Sequence, residues 1–269
     1  MNTLVRDRMG RGLITCAMGA SLGDVAALLT ENRVHAVVVV DGAGKAVGLL
    51  SDFDLLAGEW LSADPESLAA MRKMTAGELM SSPLNTIDSG EPIAAAAAHM
   101  RRLGVHRLVV TEAGEPAGVI SMSDLVAHLA AQEPVGRATV GDVMSHVMLV
   151  CRPETPALDL ARGLTDSRFR SVLVLDDDGR LLGLISGWDL LACVDGDLCA
   201  GKTAVDLMHP VFKIRRQASL HEAASEMVKH HRHRLVVVDS EDEQVPPVGV
   251  ISSIDIVNEM ARPGSVWRS

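Results

Sequence analysis

Serine and aspartate recur three positions apart in four related stretches: GLLSDFDL from residue 48, GVISMSDL from 118, GLISGWDL from 183 and GVISSIDI from 249. In each, a glycine and two aliphatic residues lead into the serine, a pattern that runs a buried strand directly into a helix start. Unpaired N–H groups there, and the positive end of the helix dipole, attract anions. A carboxylate at the same place can accept both hydroxyls of a vicinal diol, each charge-assisted bond contributing about 1.5–3 kcal/mol. Ser51 with Asp54, Ser121 with Asp124, Ser186 with Asp189 and Ser252 with Asp255 therefore have the chemistry to read a nucleotide. The same spacing is also a capping box, which stabilises a helix by about 1 kcal/mol with no ligand. Two features favour the ligand. Aspartate stands at the last position all four times, although a capping box accepts Glu or Gln. A basic residue also recurs upstream, as His35, His106, Arg170 and His233, with Arg107 and Arg234 beside two of them.

The elements that must position these residues repeat as well. Each copy opens with a lead-in ending in methionine: LVRDRM to Met9, TAGELM to Met80, TVGDVM to Met144 and TAVDLM to Met208. Three of them start with Thr followed three positions later by Glu or Asp, a helix-start pattern. Amphipathic helices are predicted over 21–33, 91–103, 156–167 and 219–231; in the last, Leu220, Ala223, Ala224, Met227 and Val228 share one face. The β-branched runs AVVVV, LVV, VLVL and LVVV follow, too apolar for exposed strands, and turn residues separate each from its glycine-led strand. The fold class is α/β (α+β), four repeats each made of a small sheet with flanking helices.

The copies alternate in character. Copies 1 and 3 share DLLA, preceded by Phe53 or Trp188, whereas copies 2 and 4 share HRLVV. This A-B-A-B order reads as a duplicated pair, giving one module over 1–131 (repeats about 1–60 and 75–131) and a second over 138–263 (about 138–196 and 202–263). The Pro and Gly of QEPVGR, 132–137, suit a linker, and 60–73 reads as a helical connector. Phe53 and Trp188 read as packing residues before adenine-stacking ones, and KHHRHR, 229–234, as a solvated helix end rather than a metal site.

A net charge of −10 argues against a general nucleic-acid or acidic-membrane binder, so an anionic ligand must be held locally. No apolar run approaches the roughly 20 residues that span a bilayer, and the start of the chain lacks a signal pattern, which leads us to expect a cytoplasmic protein. Cys16, Cys151, Cys193 and Cys199 match neither zinc-site nor C-x-x-C redox spacing and read as reduced thiols filling core gaps. No H-E-x-x-H, G-x-S-x-G or phosphate-cradling glycine motif is present, so no metal and no enzyme is expected. The four signature glycines are expected to permit close packing or ligand approach.

Four in-register G-h-h-S-x-x-D stretches, each after a strand pair, resemble the CBS-domain family, named after cystathionine β-synthase, over nearly the whole chain. The resemblance implies repeats paired into pseudo-two-fold modules, and two modules assembled into a disc within one chain or as a homodimer. It implies adenosine-containing ligands (AMP, ADP, ATP, S-adenosylmethionine or NAD) in clefts between paired repeats, with no cofactor required. The family's ribose-contacting aspartate falls on Asp54, Asp124, Asp189 and Asp255. Its Ser or Thr falls on Ser51, Ser121, Ser186 and Ser252, and its phosphate-reaching basic residue on His35, His106, Arg170 and His233. Because carboxylates lining a cleft repel phosphate, the doubly basic copies 2 and 4, with Arg107 and Arg234, are the expected phosphate sites. The function implied is non-catalytic signal transduction: a regulatory sensor acting on an unidentified effector protein. The alternative is a ligand-free module for homo-oligomerisation or scaffolding.

Overall fold

The computed structural model describes residues 3–57, 73–133, 138–167, 169–190, 201–240, 242 and 245–262. Every copy is built the same way. In copy 1 the short strand Thr15–Ala17 lies parallel to Ala36–Val40, with the helix Leu22–Asn32 as the crossover that parallel pairing requires. Ala36–Val40 then pairs antiparallel with the glycine-led strand Ala46–Ser51, which runs into the helix Asp52–Ala57. Copy 2 repeats this order with Thr86–Asp88, Ile93–Leu103, Arg107–Glu112, Glu115–Ser121 and Met122–Ala130. Copy 3 does so with Leu149–Cys151, Ala157–Ser167, Ser171–Leu175, Leu181–Ser186 and Gly187–Leu190. Copy 4 does so with Lys213–Arg215, Leu220–Lys229, Arg234–Val238, Gly249–Ser252 and Ser253–Met260.

The middle strands are buried on both faces, as their unbroken apolar runs require: Val37, Val38 and Val39, and likewise Leu108, Val109 and Val110, are at most 1% exposed. Helices begin where the sequence places their caps. The Ser21 hydroxyl accepts from the Asp24 N–H, and the Ser219 hydroxyl from the Glu222 N–H, each at 3.1 Å. Of the apolar face read on the copy 4 helix, Leu220, Ala223, Ala224 and Met227 are buried, but Val228 stands exposed at the edge of the stripe. The connector over 60–73, apart from Lys73, and the linker residues 134–137 lie outside the described residues.

The chain forms two compact units. One holds Met1–Gly12, Asn85–Met148 and Phe212–Ser269, and the other Leu13–Leu84 and Leu149–Val211. Each unit joins alternate copies around one core. In the first, Met100, Leu108, Ile120 and Leu125 of copy 2 cluster with Met227, Leu235, Ile251 and Ile256 of copy 4. In the second, Leu22, Leu29, Leu50 and Leu55 of copy 1 cluster with Leu160, Leu164, Ile185 and Leu190 of copy 3. The A-B-A-B character of the sequence thus follows shared cores: copies that pack together resemble each other.

Adjacent copies are related in another way, by exchange of their lead-ins. Ser81, after Met80, bridges Leu49 of copy 1, while Gly10, after Met9, pairs with Val119 of copy 2. In the same manner Ser145, after Met144, bridges Val250 of copy 4, and His209, after Met208, bridges Leu184 of copy 3. Each lead-in therefore caps its neighbour instead of opening its own copy. The signature glycines make room for this crossing. A Cβ on Gly118 would stand 2.2 Å from the Gly10 carbonyl oxygen, and one on Gly249 would stand 2.5 Å from that of Ser145. On Gly48 and Gly183 it would meet the Met80 and Met208 sulfurs at 2.2 and 2.7 Å.

A backbone carbonyl yields less than a methionine side chain. Gly118→Ala is therefore expected to lower stability by about 1–3 kcal/mol in urea unfolding, and Gly48→Ala by less. Gly42→Ala, where nothing lies within 4 Å, is expected to change it by less than about 0.5 kcal/mol.

Candidate functional site: the strand-to-helix junctions

Sheet register brings the sequence-predicted residues together in every copy. Ser51, Ser121, Ser186 and Ser252 pair with Ala36, Arg107, Ser171 and Arg234, the residues immediately after His35, His106, Arg170 and His233. The N–H that follows each serine then donates to the carbonyl of the basic residue: Asp52 to His35 at 3.2 Å, Met122 to His106 at 2.9 Å, Gly187 to Arg170 at 3.4 Å and Ser253 to His233 at 2.9 Å.

The aspartates turn back onto their own serines. The N–H of Ser51, Ser121, Ser186 and Ser252 donates to Oδ2 of Asp54, Asp124, Asp189 and Asp255 at 2.8, 2.7, 2.7 and 2.8 Å. The four serine hydroxyls donate to the same oxygens at 2.6, 2.6, 2.8 and 2.7 Å. The carboxylate half of the capping box is thus formed four times, and at every junction the amide of the serine and the amide after it are already engaged. What the junction still offers is the second carboxylate oxygen. For Asp54, Asp124 and Asp255, no described residue hydrogen-bonds Oδ1. In copy 3 the His209 imidazole occupies it, with Nε2 2.6 Å from Asp189 Oδ1.

All four serine–aspartate pairs are half-buried. Burial pushes the Asp255 carboxyl above its ordinary value, against the opposing pull of the Ser252 hydroxyl and amide and the Arg234 guanidinium. Charge at Asp255 is therefore under-solvated, and a donor brought to its open oxygen offsets that cost.

The basic residues have structural work of their own in the unit of copies 1 and 3. The Arg170 guanidinium lies 4.0 Å over the Phe53 ring, and the His35 ring sits 4.6 Å from that of Trp188, tilted by 57°. His35 Nδ1 is also 2.8 Å from Asp52 Oδ2. Phe53 and Trp188 thus pack across copies, each against the basic residue of the other. In the unit of copies 2 and 4 the corresponding contact is polar, with His233 Nδ1 3.1 Å from the Ser123 hydroxyl. Sequence reading missed Asp52 and His209. The signal for His209 lay in alignment of the lead-ins, where Gly10, Ser81, Ser145 and His209 share one position.

Other candidates have local roles. KHHRHR ends the copy 4 helix at Lys229, and His230 stacks on Phe212 at 4.0 Å while meeting Glu226 at 3.1 Å. Among the described residues, no cluster of three or more His, Cys, Asp or Glu is placed to hold a metal ion. Burial pushes the Cys151 thiol up to about 11 and raises Cys16, so both are protonated and weakly nucleophilic at neutral pH. Cys193 and Cys199 lie outside the described residues.

The CBS-domain family model matches residues 5–59, 76–131, 140–196 and 204–262. The chain belongs to the CBS-domain family. Protein MJ1225 from Methanocaldococcus jannaschii shares the fold at a TM-score of 0.80 and 19% identity, over 96% of this chain and 100% of that one. A conserved protein from Pyrococcus horikoshii does so at 0.66 and 20%, over 95% and 98%. By sequence, protein MJ1404 of M. jannaschii is 27% identical over 191 residues, 69% of this chain and 43% of that protein. The magnesium transporter MgtE of Thermus thermophilus is 27% identical over 141 residues, 50% of this chain and 30% of the transporter. The CBS chain thus spans less than half the length of these two relatives. Among its described residues no helix is long and apolar enough to cross a membrane.

Because the folded state holds the Asp255 proton to higher pH than the unfolded state, the stability linked to this group is fully present below the unfolded value near 3.8. It is lost as pH rises through the folded value. Urea unfolding of the native chain and Asp255→Asn between pH 3 and 6 is expected to show a stability difference that moves against the native chain as pH rises.

Proposed function

We propose that this CBS chain is a non-catalytic, cytoplasmic regulatory sensor of adenosine-containing ligands: AMP, ADP, ATP, S-adenosylmethionine or NAD. The observation that carries this reading is the divided use of each carboxylate in copies 1, 2 and 4. Oδ2 of Asp54, Asp124 and Asp255 closes the helix cap, while Oδ1 has no hydrogen-bond partner among the described residues. Such an oxygen, half-buried and beside a serine, accepts a ribose hydroxyl at a place where the family's ribose-contacting aspartate falls. Phosphate contact is assigned first to copies 2 and 4, where Arg107 and Arg234 follow His106 and His233. His35 and Arg170 sit at the equivalent positions but pack against the rings of Trp188 and Phe53, which makes them weaker phosphate ligands.

The functional pairing proposed is of neighbours, over 1–131 and 138–263, and the reciprocal exchange of lead-ins supports it. Binding of a ligand favours one arrangement of the paired repeats and so changes contact with a second copy in a homodimer or with an effector protein. The competing reading, a ligand-free assembly module, needs the same cap and leaves the open oxygens to water.

Asp→Asn separates the two readings, because asparagine keeps an acceptor for the cap and replaces the open oxygen with a donor amide. Thermal shift with AMP, ATP, S-adenosylmethionine and NAD is expected to stabilise the native chain, by about 2.7 kcal/mol at 100 times the dissociation constant. Asp124→Asn and Asp255→Asn are expected to reduce that shift while changing the ligand-free melting point little. No shift with any of the four ligands favours the assembly module. Early melting of the variants with unchanged affinity assigns the aspartates to the cap alone.

A further inference from the structure

The four junctions differ at one point, the residue that the exchanged lead-in lays against the glycine-led strand. That position holds Gly10 beside Val119, Ser81 beside Leu49, Ser145 beside Val250 and His209 beside Leu184. Glycine has no side chain to offer, and the Ser145 hydroxyl donates to the Val147 carbonyl at 3.0 Å. Only at copy 3, among the described residues, does this position reach the aspartate. Asp189 Oδ2 accepts the Ser186 N–H at 2.7 Å and its hydroxyl at 2.8 Å, and Oδ1 meets His209 Nε2 at 2.6 Å. The Asp189 side chain is 10% exposed and that of His209 45%, so the imidazole lies on the solvent side of the carboxylate.

We propose that His209 is a built-in plug, which keeps the copy 3 aspartate closed to a ribose diol and makes the four repeats unequal as ligand sites. The inference rests on the functional reading above. A diol reaching Asp189 must displace a short, charge-assisted hydrogen bond from an oxygen that no described residue hydrogen-bonds in the other copies. Loss of one such bond weakens binding about 10- to 100-fold. The selector is encoded in a lead-in contributed by the neighbouring copy, so one substitution there changes occupancy without touching the capping box. Serine is compatible with the backbone bridge at this position, because Ser81 and Ser145 occupy it elsewhere.

The test is equilibrium dialysis of the full chain with AMP, with ATP and with S-adenosylmethionine, comparing the native chain, His209→Ser, and His209→Ser combined with Asp189→Asn. The expected result is one additional site in His209→Ser, or one existing site tightened about 10- to 100-fold, that disappears in the double variant. Unchanged stoichiometry and affinity in His209→Ser, with ligand bound by the native chain, overturns the plug and leaves the sensor standing. An added site that survives Asp189→Asn also overturns it. Absence of binding in all three chains overturns both. His209→Gly, matching Gly10, serves as the second opening variant, and a melting point close to native verifies that either chain is folded.

Discussion

One carboxylate oxygen at each strand end holds the architecture of a copy in place. Oδ2 of Asp54, Asp124, Asp189 or Asp255 accepts both the N–H and the hydroxyl of the serine three residues earlier. The two hydrogen bonds to one oxygen satisfy donors that a buried helix start otherwise leaves without partners. It also fixes the direction in which the helix leaves the sheet, and with it the face the helix brings to the shared core. The second oxygen is left over by this geometry. Under the proposed function, structure and binding draw on different atoms of the same side chain, so that capping and ribose acceptance do not compete.

The second constraint is the close crossing at the glycine. A lead-in can lie on the neighbouring copy only where the strand beneath it has no Cβ, and the distances at Gly118 and Gly249 leave no room for one. This crossing makes each copy incomplete without its neighbour in the chain, while the buried helix faces make it incomplete without its alternate. The two dependences run in different directions. Within each unit they hold two similar segments and two lead-ins together, and they allow the copies to diverge at the residues that do not serve either contact.

The two units differ at their junctions. In the unit of copies 1 and 3, an aromatic before each aspartate receives the other copy's basic residue. In the unit of copies 2 and 4, the equivalent place holds Ser123, and His233 meets it through a hydrogen bond. Aromatic clamping commits His35 and Arg170 to packing, whereas the second cation beside His106 and His233 keeps charge at the start of the strand. The electrostatic asymmetry between the units therefore follows from packing choices.

The sequence by itself determined the number of copies, their strand and helix order, the buried middle strands and the serine–aspartate pairs, because these depend on local periodicity and on spacings of three or four residues. It also located every basic residue that the register brings to a junction, since strand pairing within a copy spans few residues. Tertiary structure alone decided which copies share a core, that lead-ins are exchanged, and that Asp189 meets His209 while no described residue hydrogen-bonds Oδ1 of its three counterparts. Those outcomes depend on segments far apart in the chain meeting across a backbone crossing, and neither amphipathic pattern nor motif spacing encodes which distant side chain will arrive there.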